Sequence, residues 1–302
     1  MMKIRKVAAI DIGSNAVRLL INSVHAEGEK IVMKKVLLLR LPLRLGEDSF
    51  SLGKLSEVTE KKLVKLMKSF RYLMDIHEVE DYRACATAAM REAKNGKKIV
   101  EKIFEKTDLN IEIISGSEEA KMIYESHIAD QLDASKNYLY VDVGGGSTEI
   151  SLIKDGDLVK SHSFNIGTVR MLRGKVKDSE RTKMHKFLAE ITAEFAPHEI
   201  IGSGGNINKL SRLSTSNKVK RISLKQIVKL NAELSVLSVE DRMLKYELNP
   251  DRADVIVPAS EIYIDVATRA NISSFFVPAF GLVDGIVHQL SYKIPMEELI
   301  DN

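Results

Sequence analysis

"YLYVDVGGGSTEISLIKDG", residues 138–156, runs from an apolar stretch carrying Asp142 through Gly144, Gly145 and Gly146 to Ser147-Thr148-Glu149 and a second apolar stretch that ends at Gly156. Two strand-like runs joined by a short polar turn predict an antiparallel hairpin, and Gly156 predicts a second turn into a third strand. The same design occurs near the N-terminus in "AIDIGSNAVRLLINSVHAEGEKIV", residues 9–32, with Asp11 before Gly13-Ser14-Asn15 and Gly28 at the second turn. A design that occurs twice predicts a duplicated fold.

The elements after each meander also correspond: a helical region, a strand and another helix. In "LSEVTEKKLVKLMKSFRYLMDIH", Leu63, Leu66, Met67, Phe70, Leu73 and Met74 fall at helical spacing. "VEDYRACAT" and "LNIEIIS" read as strands with a helix between them, and a further helix begins at about Ser117. The second half repeats the theme with a helix over 178–196, the strand "HEIIGSG", and helices in "SLKQIVKLNAELSVL" and "DVIVPASEIYIDVATRA". The expectation is an α/β protein of two similar lobes with a central interdomain cleft. The first lobe is residues 1–124, joined by a C-terminal helix at about 287–302, the second is residues 125–286, and a hinge lies near 115–135.

The 302 residues provide for two domains, and 45 basic against 42 acidic side chains leave a net charge of +3, too balanced to select a partner. The lone Cys85 rules out an intramolecular disulfide framework, fits a reducing compartment and reads as a core residue. No apolar stretch reaches the ~18 residues of a membrane span. The expected setting is cytoplasmic, without a membrane partner. The basic segment "NKVKRISLK", residues 217–225, offers either a polyanion track or a solvated face, and it lacks the interleaved aromatics that would favour nucleic acid.

Gly144, Gly145 and Gly146 can bring backbone N–H groups close to an anion, and Ser147 and Thr148 add hydroxyls, which together make a phosphate cradle. Gly13, Ser14 and Asn15 form a smaller version. Asp11, Asp142 and Glu149 would repel a bare phosphate, so their presence implies a bridging hard cation; Mg²⁺ typically takes one or two carboxylates plus phosphate oxygens. A turn-starting aspartate and a solvent-facing glutamate are the plain alternatives. A third turn, "IIGSGGNINKL", opens a helix whose first N–H groups favour an anion, although an ordinary strand-to-helix turn accounts for it equally well. No Gly-x-x-x-x-Gly-Lys-Ser/Thr occurs, which excludes a P-loop protein.

These residues carry a resemblance. "AAIDIGSNAVRLLI", "RLGE", "ATAAMREAKNG", "IEIISGSEEAKMIY", "YVDVGGGSTEISL", "FNIGTVRML", "IGSGGN" and "RADVIVPASEIY" resemble, in order and spacing, the exopolyphosphatase/guanosine pentaphosphate phosphohydrolase family. The resemblance covers about residues 7–290. It implies two ribonuclease H-like lobes of the actin, sugar-kinase and heat-shock ATPase type, and Mg²⁺-dependent removal of terminal phosphate from polyphosphate or guanosine pentaphosphate. It also implies that Asp142 and Glu149, with Asp11 assisting, organise the cation, that the two glycine turns bind phosphate, that Arg91 neutralises charge, and that Glu119 activates water. A homodimer is among the expected assemblies. The chain resembles the short members, without the C-terminal His-Asp domain; Asn206 stands where threonine is expected and Val283 where arginine often occurs, which bears on substrate preference.

Reading the residues separates Glu119 from Glu118. Ser115-Gly116-Ser117-Glu118 fits a capping box that would occupy Glu118, whereas a cap at Ser117 would remove the distinction. Rival readings are an ATP-dependent kinase or ATPase on the same fold, a non-catalytic alarmone binder, and an actin-like assembly protein, for which no filament surface is marked.

Overall fold

The computed structural model describes residues 3–124, 132, 133, 135–214, 220–278 and 281–300. The chain forms two compact units, Met1–Ser126 with Gly281–Asn302, and His127–Phe280. Part of the segment expected as a hinge lies outside the described residues.

The first unit opens with the expected meander, β1 (Arg5–Ile12), β2 (Val17–Glu27) and β3 (Lys30–Leu41). Then come α1 (Leu45–Leu52), α2 (Glu57–Ile76), β4 (Asp81–Ala86), α3 (Ala88–Glu92), α4 (Gly96–Thr107), β5 (Ile111–Ile113) and α5 (Gly116–Tyr124). The sheet order is β3-β2-β1-β4-β5, with β1, β4 and β5 parallel and β2 and β3 antiparallel. Residues Val7 to Ile12 of β1 are buried on both faces, as a central strand requires. The Ser56 hydroxyl caps α2, which buries Leu63, Val64, Leu66, Met67, Phe70 and Met74, each worth about 1.5–3 kcal/mol of apolar burial. Leu73 stands at the edge of that stripe and is only half-buried.

The second unit repeats the meander with β6 (Tyr138–Val143), β7 (Thr148–Lys154) and β8 (Asp157–Phe164). It continues through α6 (Thr168–Leu172), α7 (Asp178–Phe195), β9 (Glu199–Ser203), α8 (Gly205–Ser214), β10 (Arg221–Ser223), α9 (Leu224–Ser235), α10 (Val239–Tyr246), α11 (Pro250–Ala253), α12 (Ile256–Arg269) and β11 (Ser274–Phe276). Its order, β10-β11-β9-β6-β7-β8, places β9 and β11 where the first sheet has β4 and β5, and adds β10 antiparallel at the edge. Both units thus share one strand arrangement, the duplication that the repeat predicted and the ribonuclease H-like lobes that the resemblance implied. The short strands β10 and β11 were not expected. The last helix, α13 (Leu282–Lys293), belongs to the first unit and packs on β1 and α5.

Cys85 is fully buried in β4, and burial pushes its thiol up to about 12. A thiol reagent at pH 8 is therefore expected to label the native protein at well under a tenth of its rate on urea-unfolded chain, because only the thiolate reacts. Equal rates would place Cys85 at the surface. Among the described residues no helix is long and apolar enough to cross a membrane.

Candidate active site

In each sheet the residues of interest sit at the carboxyl ends of the parallel strands, where ligands of open α/β sheets bind. In the second unit, Gly144 N–H donates to the Ser147 carbonyl at 2.9 Å and closes the four-residue turn between β6 and β7. The three glycine carbonyls are all engaged by the segment after β8. Gly144 accepts from Thr168 N–H at 3.0 Å, Gly145 from Val169 and Arg170 N–H at 2.9 and 3.1 Å, and Gly146 from Arg170 Nε at 2.7 Å. A trans peptide points its N–H opposite to its C=O. With those carbonyls turned toward α6, the N–H groups of Gly145, Gly146 and Ser147 are aimed together toward the other side, which makes an anion nest.

Two of the expected phosphate-binding residues have other engagements in this geometry. Gly144 N–H is consumed in closing the turn, so the Ser147 N–H takes its place in the cradle. Thr148 is wholly buried, and its hydroxyl donates to the Ile166 carbonyl at 2.6 Å, so its single proton is not offered to phosphate. Gly167, which the sequence analysis did not single out, lies directly against this turn. A Cβ built on it would lie 2.4 Å from the Gly146 carbonyl carbon and 2.5 Å from the Gly145 oxygen, so only glycine allows α6 to seat on the turn.

Asp142 and Glu149 are directly opposite on β6 and β7. Glu149 is 2% exposed and accepts from Ser163 Oγ at 2.7 Å, and Asp142 pairs in register with Ser203 on β9. The row Ser163, Glu149, Asp142, Ser203 therefore crosses four strands. Burial, and after it the negative charge of Asp142, raise the Tyr140 and Tyr263 phenols well above their usual range, so both stay protonated. The third glycine turn reaches the same place: Gly204 has φ +99, and a Cβ there would lie 2.8 Å from Asp142 Oδ1. Two carboxylates directly opposite on neighbouring strands repel. Their hard oxygens suit a cation such as Mg²⁺, which takes one or two protein carboxylates and completes its shell with water and phosphate. Among the described residues no group of three or more His, Cys, Asp or Glu side chains is placed to hold a metal by itself.

The first unit has the same turn with a different charge pattern. Gly13 N–H donates to the Ala16 carbonyl at 3.1 Å, and the Ser14 and Asn15 carbonyls accept from Gly46 and Arg44 N–H at 2.8 and 3.0 Å. By the same peptide geometry the Asn15 and Ala16 N–H groups face the other side, and Gly13 N–H, expected as a phosphate donor, is spent on the turn. Asp11 lies opposite Arg18, as Asp142 lies opposite Glu149, and the Arg18 guanidinium bonds its carboxylate. The expected cation-assisting role of Asp11 thus meets a different partner. Burial raises the Asp11 pKa despite the lowering influence of Arg18.

Arg91 and Glu119 are both in the first unit. Arg91 Nη1 donates to the Ile114 carbonyl at 2.8 Å, just before α5. Ser115 Oγ accepts from Glu118 N–H at 3.2 Å, as the capping reading expected, but the Glu118 carboxylate accepts from Arg83 Nη2 at 3.2 Å rather than from the helix cap. Glu119 is half-buried. At the positions that depart from the family pattern, Asn206 is buried and accepts from Arg252, and Val283 is buried in α13. Of the basic segment, residues 217–219 lie outside the described residues, and Arg221 is committed to Glu199 at 3.0 Å.

The Ppx/GppA phosphatase family matches residues 21–293. The chain is similar to a bifunctional 3-dehydroquinate synthase/phosphatase of Fusobacterium nucleatum, 29% identical over 86% of this chain and 42% of that one. It thus spans under half the length of that relative. It is similar to exopolyphosphatase 2 of Mycobacterium tuberculosis, 25% identical over 96% of this chain and the whole of that one. The crystal structure of the Aquifex aeolicus member of the Ppx/GppA family superposes with a TM-score of 0.77 at 26% identity, covering 96% of this chain and 99% of that one.

Proposed function

The chain belongs to the Ppx/GppA phosphatase family, and on that footing we propose that it hydrolyses the terminal phosphoanhydride of inorganic polyphosphate, of guanosine pentaphosphate, or of both. The observation that carries the reading is the conjunction, in the second unit, of three like-directed N–H groups from Gly145, Gly146 and Ser147 with the facing carboxylates Asp142 and Glu149. That conjunction suits a phosphoryl group accompanied by a divalent cation.

In this reading Asp142 and Glu149 hold Mg²⁺, which would neutralise phosphoryl charge when bound. The Gly145, Gly146 and Ser147 N–H groups, and Asn15 and Ala16 N–H with the Ser14 hydroxyl, fix phosphoryl oxygens. Glu119 accepts a proton from water as the water oxygen bonds to the terminal phosphorus and the bond from phosphorus to the bridging oxygen breaks. Orthophosphate and the shortened chain leave. Arg91 spends one of its five N–H donors on Ile114 and offsets phosphoryl charge with others. Positioning and electrostatics supply most of the catalysis in such transfers. The reading includes no nucleic-acid or membrane partner, a homodimer as the assembly, and the cytoplasm as the setting, where a lone thiol stays reduced.

The test is phosphate release from polyphosphate, guanosine pentaphosphate and ATP, measured side by side while Mg²⁺ is titrated. Release from either of the first two is expected, and Asp142→Asn should raise the Mg²⁺ concentration for half-maximal rate at least about tenfold, because a charged, half-buried oxygen ligand is lost. Turnover of ATP alone would transfer the chain to the kinase-like ATPases. Binding of guanosine pentaphosphate without release would make it a silent alarmone binder.

A further inference from the structure

Arg83, on β4, is bonded to more elements than any role yet described explains. Its Nε and Nη2 donate to the Glu112 carboxylate on β5 at 3.1 and 2.7 Å. Nη2 also donates to Glu118 of α5 at 3.2 Å. Nη1 donates to Gln289 of α13 at 3.0 Å and lies 3.8 Å from Met122 Sδ on α5. The hydrogen bonds to Glu112, and after them the nearby carboxylates, raise the guanidinium pKa against the opposing effect of burial, so the fork is always charged.

We propose that Arg83 is a positioning residue for hydrolysis, holding α5 in the rotation that aims Glu119; this rests on the reading of Glu119 as the group that takes the proton. Glu118 and Met122 are four residues apart, so they share one helix face, and that face is the one Arg83 grips. Glu119 is the next residue along, about 100° around the axis. Pinning positions 118 and 122 therefore sets the direction of position 119. The start of α5 is tied down by the Ser115 cap and by the hydrogen bond from Arg91 to Ile114, and Arg83 adds its grip at positions 118 and 122. A roll of about 10° would carry a carboxylate ~6 Å from the axis through about 1 Å, a displacement that costs up to about a hundredfold in rate. The carboxylates that Arg83 grips are nearly half exposed, at 45% and 44%, so these pairs add little to folding stability. Their consequence is kinetic.

The experiment compares steady-state kinetics and thermal unfolding of Arg83→Met, Arg83→Lys, Glu118→Gln and the Arg83→Met/Glu118→Gln double variant. Arg83→Met is expected to lower kcat about tenfold with KM within about twofold and little change in Tm. Lysine, a single point donor that cannot span Glu112, Glu118 and Gln289 together, should recover part of the loss. Glu118→Gln should lower kcat in the same sense, and the double variant should fall no further than Arg83→Met. A wild-type kcat in Arg83→Met overturns the proposal, as does a loss that follows Tm or multiplies fully in the double variant. If Arg83→Met does not fold, Glu118→Gln decides by the same kcat criterion. Glu119→Gln separates the two claims. If it is inactive while Arg83→Met is normal, only the positioning role falls. If it is normal while Arg83→Met is slow, the proton-accepting role of Glu119 falls.

Discussion

Gly167→Ala is expected to reduce phosphate release at least about a hundredfold while the protein still folds. The added methyl has nowhere to go. At 2.4 Å from the Gly146 carbonyl carbon and 2.5 Å from the Gly145 oxygen and the Gly146 nitrogen, it meets backbone, which cannot swing aside as a side chain can. Either α6 lifts from the turn or the turn itself moves. In both cases the hydrogen bonds from Thr168, Val169 and Arg170 that orient the three carbonyls are lost or lengthened, and the like-directed N–H groups lose their common aim. Overpacking of this kind costs about 1–3 kcal/mol, which a protein of this size can absorb. The control is Gly156→Ala, in the turn between β7 and β8, where φ +80 strains any side chain although nothing lies within 4 Å of the added Cβ. It should lower the denaturation midpoint and leave the rate per folded molecule near normal. Gly167→Ala turning over at the wild-type rate would show that the nest does not depend on α6.

The duplicated meander was legible because it rests on periodicity and on glycines at fixed offsets, both of which survive translation into strands and turns. The bracing of the turns was only half legible. "RLGE" and "FNIGTVRML" stood out as motifs, yet their role depends on which carbonyls they engage, and a hydrogen bond between residues 145 and 169 leaves no periodic trace. Extending the repeat by one element would have found it, since Gly46 and Gly167 each come after the third strand of their own meander. The different partners of the two aspartates were also within reach. Seven residues separate Asp11 from Arg18 and Asp142 from Glu149, and a register closed by four-residue turns places each pair face to face. The glutamates of α5 show the opposite limit. The capping pattern predicted that Glu118 is occupied, and it is, but by a guanidinium 35 residues earlier whose side-chain direction no local pattern encodes.

Glu119→Gln is expected to lower phosphate release by 10²- to 10⁴-fold, the usual worth of a positioned general base, while affinity for the substrate stays within about threefold. Glutamine keeps the size of the side chain and can still hydrogen-bond a water, but it cannot take the proton. The loss should therefore fall on kcat and leave the ground-state contacts in place, the signature of an interaction made only as the bond to phosphorus forms. The neighbouring position sharpens the test. Glu118 carries the same charge in the same first turn, so a general effect of negative charge at this helix start would make both substitutions equally harmful. Glu118 is held by Arg83, and its loss is expected to cost only the roughly tenfold that comes from a helix free to roll. The ratio of the two effects, about tenfold or more in favour of Glu119, therefore distinguishes proton transfer from electrostatic support. Equilibrium binding to the glutamine variant can be measured with the substrate itself, because it is not consumed. Turnover unchanged in Glu119→Gln, or equal losses in the two variants, would move the proton-accepting role to another residue and leave the phosphate cradle as the surviving part of the assignment.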